Sequence, residues 1–127
     1  MAMETSVKVL VVDDEPGIRE SLADFLDDYE FDVFSAESAE QALEIVESET
    51  LDLAIVDLRL PGISGDTMIL KSHSLRPEMK FLIHTGSVDY RLPNELKAIG
   101  MGSENLFLKP IPDLTVIIDA INKILGI

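Results

Sequence analysis

Asp13, Asp14, Asp57, Thr85 and Lys109 are the side chains whose types could do chemistry together. Three carboxylates held within a few ångströms repel one another, by about 4 kcal/mol for a unit-charge pair at 4 Å and an effective dielectric of 20. A hard divalent cation offsets that repulsion, and Mg2+ typically takes one or two carboxylates while keeping several waters. Lys109 supplies a positive side chain; Thr85 and the amides after Asp57 supply hydrogen-bond donors. A carboxylate nucleophile, a metal for the equatorial oxygens and a Lys and Thr clamp are the parts of a phosphoryl-transfer site. Singly, each has a plainer use: Asp57 to start a turn, Asp13-Asp14 to cap a helix, Lys109-Pro110 to lead from strand to helix.

These residues close apolar runs. Leu53-Ala54-Ile55-Val56 leads into Asp57, and Pro61-Gly62 turns the chain away. A strand covered on both faces reads as such a run, and open α/β sheets place their ligands at its C-terminal end. Lys8–Val12 is a second, β-branched run that ends at Asp13. Pro16 suits the first turn of a helix, in which Ile18, Leu22, Phe25 and Leu26 recur at helical spacing, with Arg19 and acids on the other face. That helix should stop near Asp28-Tyr29. Asp32–Ser35 is less apolar and reads as a strand nearer a sheet edge. Ser38 with Gln41 makes a capping-box pattern before a helix with Ala39, Ala42, Leu43 and Val46 inward.

Gly65–Ser74 is a weaker helix, and Lys80–His84 a fourth strand ending at Thr85. Pro93 opens a short helix, Asn94–Ile99, that Gly100 or Gly102 ends. Asn105–Leu108 is the fifth strand, and Asp113 caps a last helix carrying Leu114, Ile117, Ile118, Ile121 and Leu125. Alternation of strand and helix predicts an α/β protein, a flavodoxin-like (βα)5 three-layer sandwich on a parallel five-stranded sheet of order 2-1-3-4-5. Strands one and three then meet at the switch point. Asp13, Asp14 and Asp57 converge in one crevice, flanked by Thr85 and Lys109.

A chain of 127 residues is one domain, large enough to bury roughly two thirds of its unfolded surface without a disulfide or structural metal. It has no cysteine, which removes thiol chemistry and fits a reducing compartment, hence the cytoplasm. With two separated histidines, a zinc site is not expected; His73 reads as a surface residue and His84 as a packed, hydrogen-bonded one. No apolar run reaches the roughly 20 residues of a membrane span. The formal charge of −14 repels phosphate backbones and anionic lipid, so direct nucleic-acid or membrane binding is not expected. Residues 1–6 read as a disordered or tag-derived terminus, and 7–127 as the domain.

Val11-Val12-Asp13-Asp14-Glu15, then Asp57-Leu58-Arg59-Leu60-Pro61-Gly62 with Gly65, then Thr85-Gly86 and Lys109-Pro110 resemble the receiver domain of two-component response regulators. The pieces are weak singly and specific in this order, each at the end of an apolar strand. The resemblance implies that Asp57 accepts a phosphoryl group from a sensor histidine kinase, a histidine phosphotransfer protein or a small donor such as acetyl phosphate. Asp13, Asp14, Asp57 and the Arg59 carbonyl would hold Mg2+, with Mn2+ as a substitute. Lys109 would pair with the phosphoryl group and Thr85 would move onto it, Pro110 forming a cis turn or loop. The switched face would comprise the fourth helix, fifth strand and fifth helix, which would also serve a homodimer. Such a domain catalyses only its own phosphorylation and dephosphorylation.

Two features depart from the family pattern. The aromatic residue expected three positions before the final Lys is replaced by Leu106, with Phe107 next, and a one-residue shift in a strand reverses the face. Phe107 should therefore point into the fold. The stretch between Thr85 and Lys109 also looks about two residues longer than usual for the family, with Pro93 inside it. The competing functions are a non-phosphorylated pseudo-receiver, which the complete acid set argues against, and an Asp-nucleophile phosphatase, which would need an acid where Arg59 stands. A flavodoxin would need a Ser/Thr/Gly-rich phosphate loop in place of Asp13-Asp14-Glu15-Pro16.

Overall fold

Apolar runs too short for a helix and too continuous for a half-exposed strand become the centre of a sheet here. β1 (Lys8–Val12) and β3 (Leu53–Val56) are buried at all but Lys8, and β4 (Lys80–Thr85) at all but Lys80. The edge strands β2 (Asp32–Ala36) and β5 (Leu106–Leu108) are only partly covered. All pairings are parallel, in the order β2-β1-β3-β4-β5. The computed structural model describes residues 6–127; residues 1–5, most of the terminus expected to be disordered or tag-derived, lie outside the described residues.

Helices α1 (Pro16–Asp28), α2 (Ala39–Ser48), α3 (Gly65–Leu75), α4 (Asn94–Ala98) and α5 (Thr115–Leu125) cover both faces. Alternate residues of each strand feed opposite layers. Leu10, Val12, Ala54, Val56, Phe81 and Ile83 pack with Ala39, Ala42 and Val46 of α2, Met68 and Ile69 of α3, and Leu96 of α4. Val9, Val11, Leu53, Ile55 and Leu82 pack with Leu22 and Leu26 of α1 and Ile117, Ile118 and Ile121 of α5. The flavodoxin-like three-layer sandwich read from the sequence is the observed fold.

Local signals mostly act as expected, with three corrections. Ser38 accepts the Gln41 amide, but the Gln41 side chain accepts from the Glu37 amide rather than closing a capping box on Ser38. Asp113 accepts both the amide and the hydroxyl of Thr115, while the capping position of α5 falls on Leu114. The fifth strand begins one residue late, because Ser103–Asn105 forms a 3-10 turn. Buried Asn105 explains this: its amide group donates to the Phe81 carbonyl at 2.8 Å and accepts from the Gly102 amide at 2.9 Å, clipping the start of β5 onto β4.

Candidate functional site

The sheet ladder continues one residue past each strand and so places the site residues by backbone bonds. Asp13 donates its amide to the Ala36 carbonyl (3.1 Å), Asp57 to Val12 (2.9 Å) and Lys109 to Thr85 (2.7 Å). Neighbouring strands in register, with Val12 opposite Val56 and Thr85 opposite Leu108, thereby bring Asp13, Asp57, Thr85 and Lys109 to one end of the sheet. Asp13 and Asp57 are 3% and 4% exposed; Asp14 and Glu15 are exposed. One carboxylate oxygen from each of the four lies within 4.8 Å of the others. That donor set, all hard oxygen and partly open to solvent, suits a cation of the Mg2+ class.

Lys109 answers this negative charge. Its Nζ lies 2.8 Å from Asp13 Oδ2, 3.1 Å from Asp57 Oδ2 and 3.5 Å from Glu15 Oε1. The Lys109–Pro110 peptide is cis. Burial pushes the Asp57 carboxyl above its ordinary range and Asp13 adds to the rise; the Lys109 hydrogen bond and charge, and the Arg59 amide, oppose it. Burial pulls Lys109 down, but its bonds to Asp13 and Asp57 outweigh that and raise it. The lysine is therefore firmly protonated, and it offsets only part of the charge on four acids.

The turn after Asp57 is built closely around it. The Arg59 amide donates to Asp57 Oδ1 at 3.3 Å, leaving the Arg59 side chain exposed. Gly62 has a φ of +77°, a conformation that favours glycine. A Cβ on Gly65 would collide with the Asp57 carbonyl and come within 2.8 Å of Leu58 Cα, so only glycine lets α3 start this near the acid. Thr85 is fully buried, and its hydroxyl oxygen accepts the Ser87 amide at 3.2 Å.

Leu106 packs against the α2–α3–α4 layer and Phe107 against the α1–α5 layer, so Phe107 does point inward and the aromatic position is filled by an aliphatic side chain. Two residues escaped the sequence reading. Arg19, placed there on the outer face of α1, donates from Nη1 to the Asp13 carbonyl at 2.8 Å and ties α1 to the acidic loop. Glu15 belongs to the carboxylate cluster; its place beside Asp13-Asp14 was the available signal. His84, expected to be hydrogen-bonded, is packed at 6% exposure, yet neither ring nitrogen has a partner among the described residues. Burial lowers its pKa, helped by the Lys109 charge and opposed by Asp13, so the ring is neutral. His73 is half-buried rather than at the surface.

The sequence pattern of the response regulator receiver domain matches residues 9–122. The chain is 31% identical over 118 residues to sporulation initiation phosphotransferase F of Bacillus subtilis, covering 93% of each chain. In seven other curated relatives it spans between 23% and 57% of the relative's length. Among solved structures, a CheY-like receiver domain protein from Methanospirillum hungatei superposes with a TM-score of 0.84 at 29% identity, covering 96% of this chain and 95% of that one. The response regulator TrrA of Thermotoga maritima, solved with Mg(2+)-BeF, gives a TM-score of 0.78 at 28% identity, covering 92% and 97%. On this fold, this acidic strand-end cluster and these matches, the chain belongs to the response regulator receiver domain family of two-component signalling.

Proposed function

We propose that Asp57 is the phosphoacceptor of this receiver domain, which spans residues 7–127. The observation that carries the reading is the Lys109 ammonium held between the buried carboxylates of Asp13 and Asp57 at the C-terminal edge of the sheet. Receiver domains work with histidine kinases or histidine phosphotransfer proteins, and the donor here is a phosphohistidine of that kind. An Asp57 oxygen attacks phosphorus, an O–P bond forms as the N–P bond breaks, and the leaving imidazole takes up a proton. Asp13, Asp14, Asp57 and the Arg59 carbonyl are the groups that would hold Mg2+, or Mn2+ in its place. Bound there, the metal would neutralise charge on the phosphoryl oxygens.

The chain's own residues do the rest. Burial raises the Asp57 carboxyl, but the Lys109 hydrogen bond and charge favour its ionised form, the form that attacks. Lys109 already points at the Asp57 oxygen and passes to the phosphoryl oxygens as charge develops there. Thr85 exchanges its Ser87 partner for the same group, and the change spreads to the face of α4, β5 and α5. Exposed Leu108 and Val116 on that face supply apolar area for a homodimer in the phosphorylated state. The net charge of −14 disfavours direct contact of this domain with nucleic acid. Among the described residues no helix is long and apolar enough to cross a membrane, and we place the domain in the cytoplasm with its ATP-fed kinase.

Incubation with acetyl phosphate and Mg2+, followed by intact-mass measurement and peptide mapping, tests this. One base-labile phosphoryl group at Asp57, absent from Asp57→Asn, is the expected result. An unmodified mass on folded protein, with acetyl phosphate and with a competent kinase, would reject it.

A further inference from the structure

The position where this family carries its reporting aromatic is filled by Leu106, which has no hydroxyl and packs in the α2–α3–α4 layer. That same layer receives another aromatic ring, Tyr90, from the connection between β4 and α4, Gly86 to Pro93. The Tyr90 hydroxyl donates to Asp66 Oδ1 at 2.9 Å. Asp66 is the second residue of α3, directly after Gly65, whose backbone lies against the Asp57 carbonyl and whose amide donates to Leu58. On its other side, the Tyr90 amide donates to the Ser87 carbonyl at 3.3 Å, and the Ser87 amide donates to the Thr85 hydroxyl oxygen at 3.2 Å. Tyr90 thus ties the loop that follows Thr85 to the first turn of α3, where the turn after Asp57 ends.

We propose that Tyr90 is the positioning residue through which this domain reads Thr85, its hydrogen bond to Asp66 being a latch that holds the unphosphorylated arrangement. This rests on the function proposed above. The Thr85 hydroxyl oxygen accepts the Ser87 amide, and on this reading a side-chain rotation that carries the hydroxyl onto a phosphoryl group on Asp57 takes that oxygen away from the amide. When it turns, the Ser87–Tyr90 turn loses its anchor, the Tyr90 hydroxyl leaves Asp66, and the connection into α4 is released. That helix is short, Asn94–Ala98, so its placement depends on the loop that feeds it. The device replaces an aromatic that rotates on β5 with one that unlatches from α3.

The chain has two tyrosines and no tryptophan, which makes the latch visible. In a Tyr29→Phe background, Tyr90 is the sole tyrosine; the exchange keeps the ring whose centroid lies 4.9 Å from that of Phe25. A carboxylate acceptor quenches tyrosine emission, so phosphorylation by acetyl phosphate with Mg2+, scored in parallel by intact mass, should relieve the quench. Tyr90→Phe and Asp66→Ala should each speed phosphorylation by roughly fivefold or more, the low end of ordinary allosteric coupling. Asp66→Asn, which keeps an acceptor oxygen, should retain the slow rate, and the double variant Tyr90→Phe/Asp66→Ala should match the singles because they break one contact. Unchanged emission in protein shown by mass to be phosphorylated would overturn the latch alone. So would wild-type rates in Tyr90→Phe. Failure of folded protein to take up any phosphoryl group would overturn the phosphoacceptor reading and the latch with it.

Discussion

Asp57→Asn should stabilise the metal-free protein. Asp57 and Asp13 present carboxylate oxygens within 4.8 Å of each other, a repulsion of about 3.5 kcal/mol at an effective dielectric of 20. Exposed Asp14 and Glu15 are screened by solvent and add about 0.5–1 kcal/mol each. Against this, Lys109 at 3.1 Å attracts Asp57 by about 5 kcal/mol on the same scale. Those terms nearly cancel, so burial of the charge at 4% exposure decides the sign, in agreement with the upward shift of its pKa. Asparagine keeps the shape and still accepts the Arg59 amide. The gain should be about 1–2 kcal/mol, seen at this chain length as a Tm rise of about 3–8 °C.

Thermal unfolding in EDTA at low ionic strength is the assay, and its pH dependence supplies a second check. Because the folded pKa of Asp57 lies above the ordinary 3.8, folded and unfolded chains both carry the neutral acid below that value and the two proteins differ little. The advantage of the variant appears as pH rises through the raised pKa and is complete above it. Millimolar Mg2+ should then raise the Tm of the wild type more than that of the variant, because the variant has lost a ligand and part of the repulsion. A variant that melts below the wild type at pH 7 without metal would refute the reasoning, showing that the Lys109 contact outweighs burial.

Gly65→Ala should lose about 1–3 kcal/mol by overpacking, because its Cβ would press on the Asp57 carbonyl and Leu58 Cα; a denaturant titration measures the loss, and a neutral result would mean that α3 shifts freely. His84→Leu should gain about 1–2 kcal/mol, since it removes two buried nitrogens without partners and fills the space with apolar volume; a loss on thermal melting would show that the imidazole is satisfied in solution.

Most of the fold was legible because each strand carries its own evidence. Continuous apolar runs such as Leu53–Val56 belong to strands covered on both faces, and the flanking helices show their inward stripes at helical spacing. The errors fall where side chains bond locally in more than one way: Gln41 reaching Glu37, or Asn105 turning the chain before β5. The acids, the lysine and the threonine at the strand ends were legible for the same reason, since strand order fixes which ends are neighbours.

The sequence by itself determined the layers, the strand order and the set of residues at the sheet edge, because periodicity and short apolar runs are local properties of the chain. Only the tertiary structure decided how those residues share charge. That Lys109 lies between Asp13 and Asp57, that Arg19 turns inward to the Asp13 carbonyl, that His84 is buried without partners and that Tyr90 reaches Asp66 are facts of distance between segments 6 to 96 residues apart. Side chains that long can serve solvent, a neighbour on the same helix or a distant loop equally well, and packing alone selects among them.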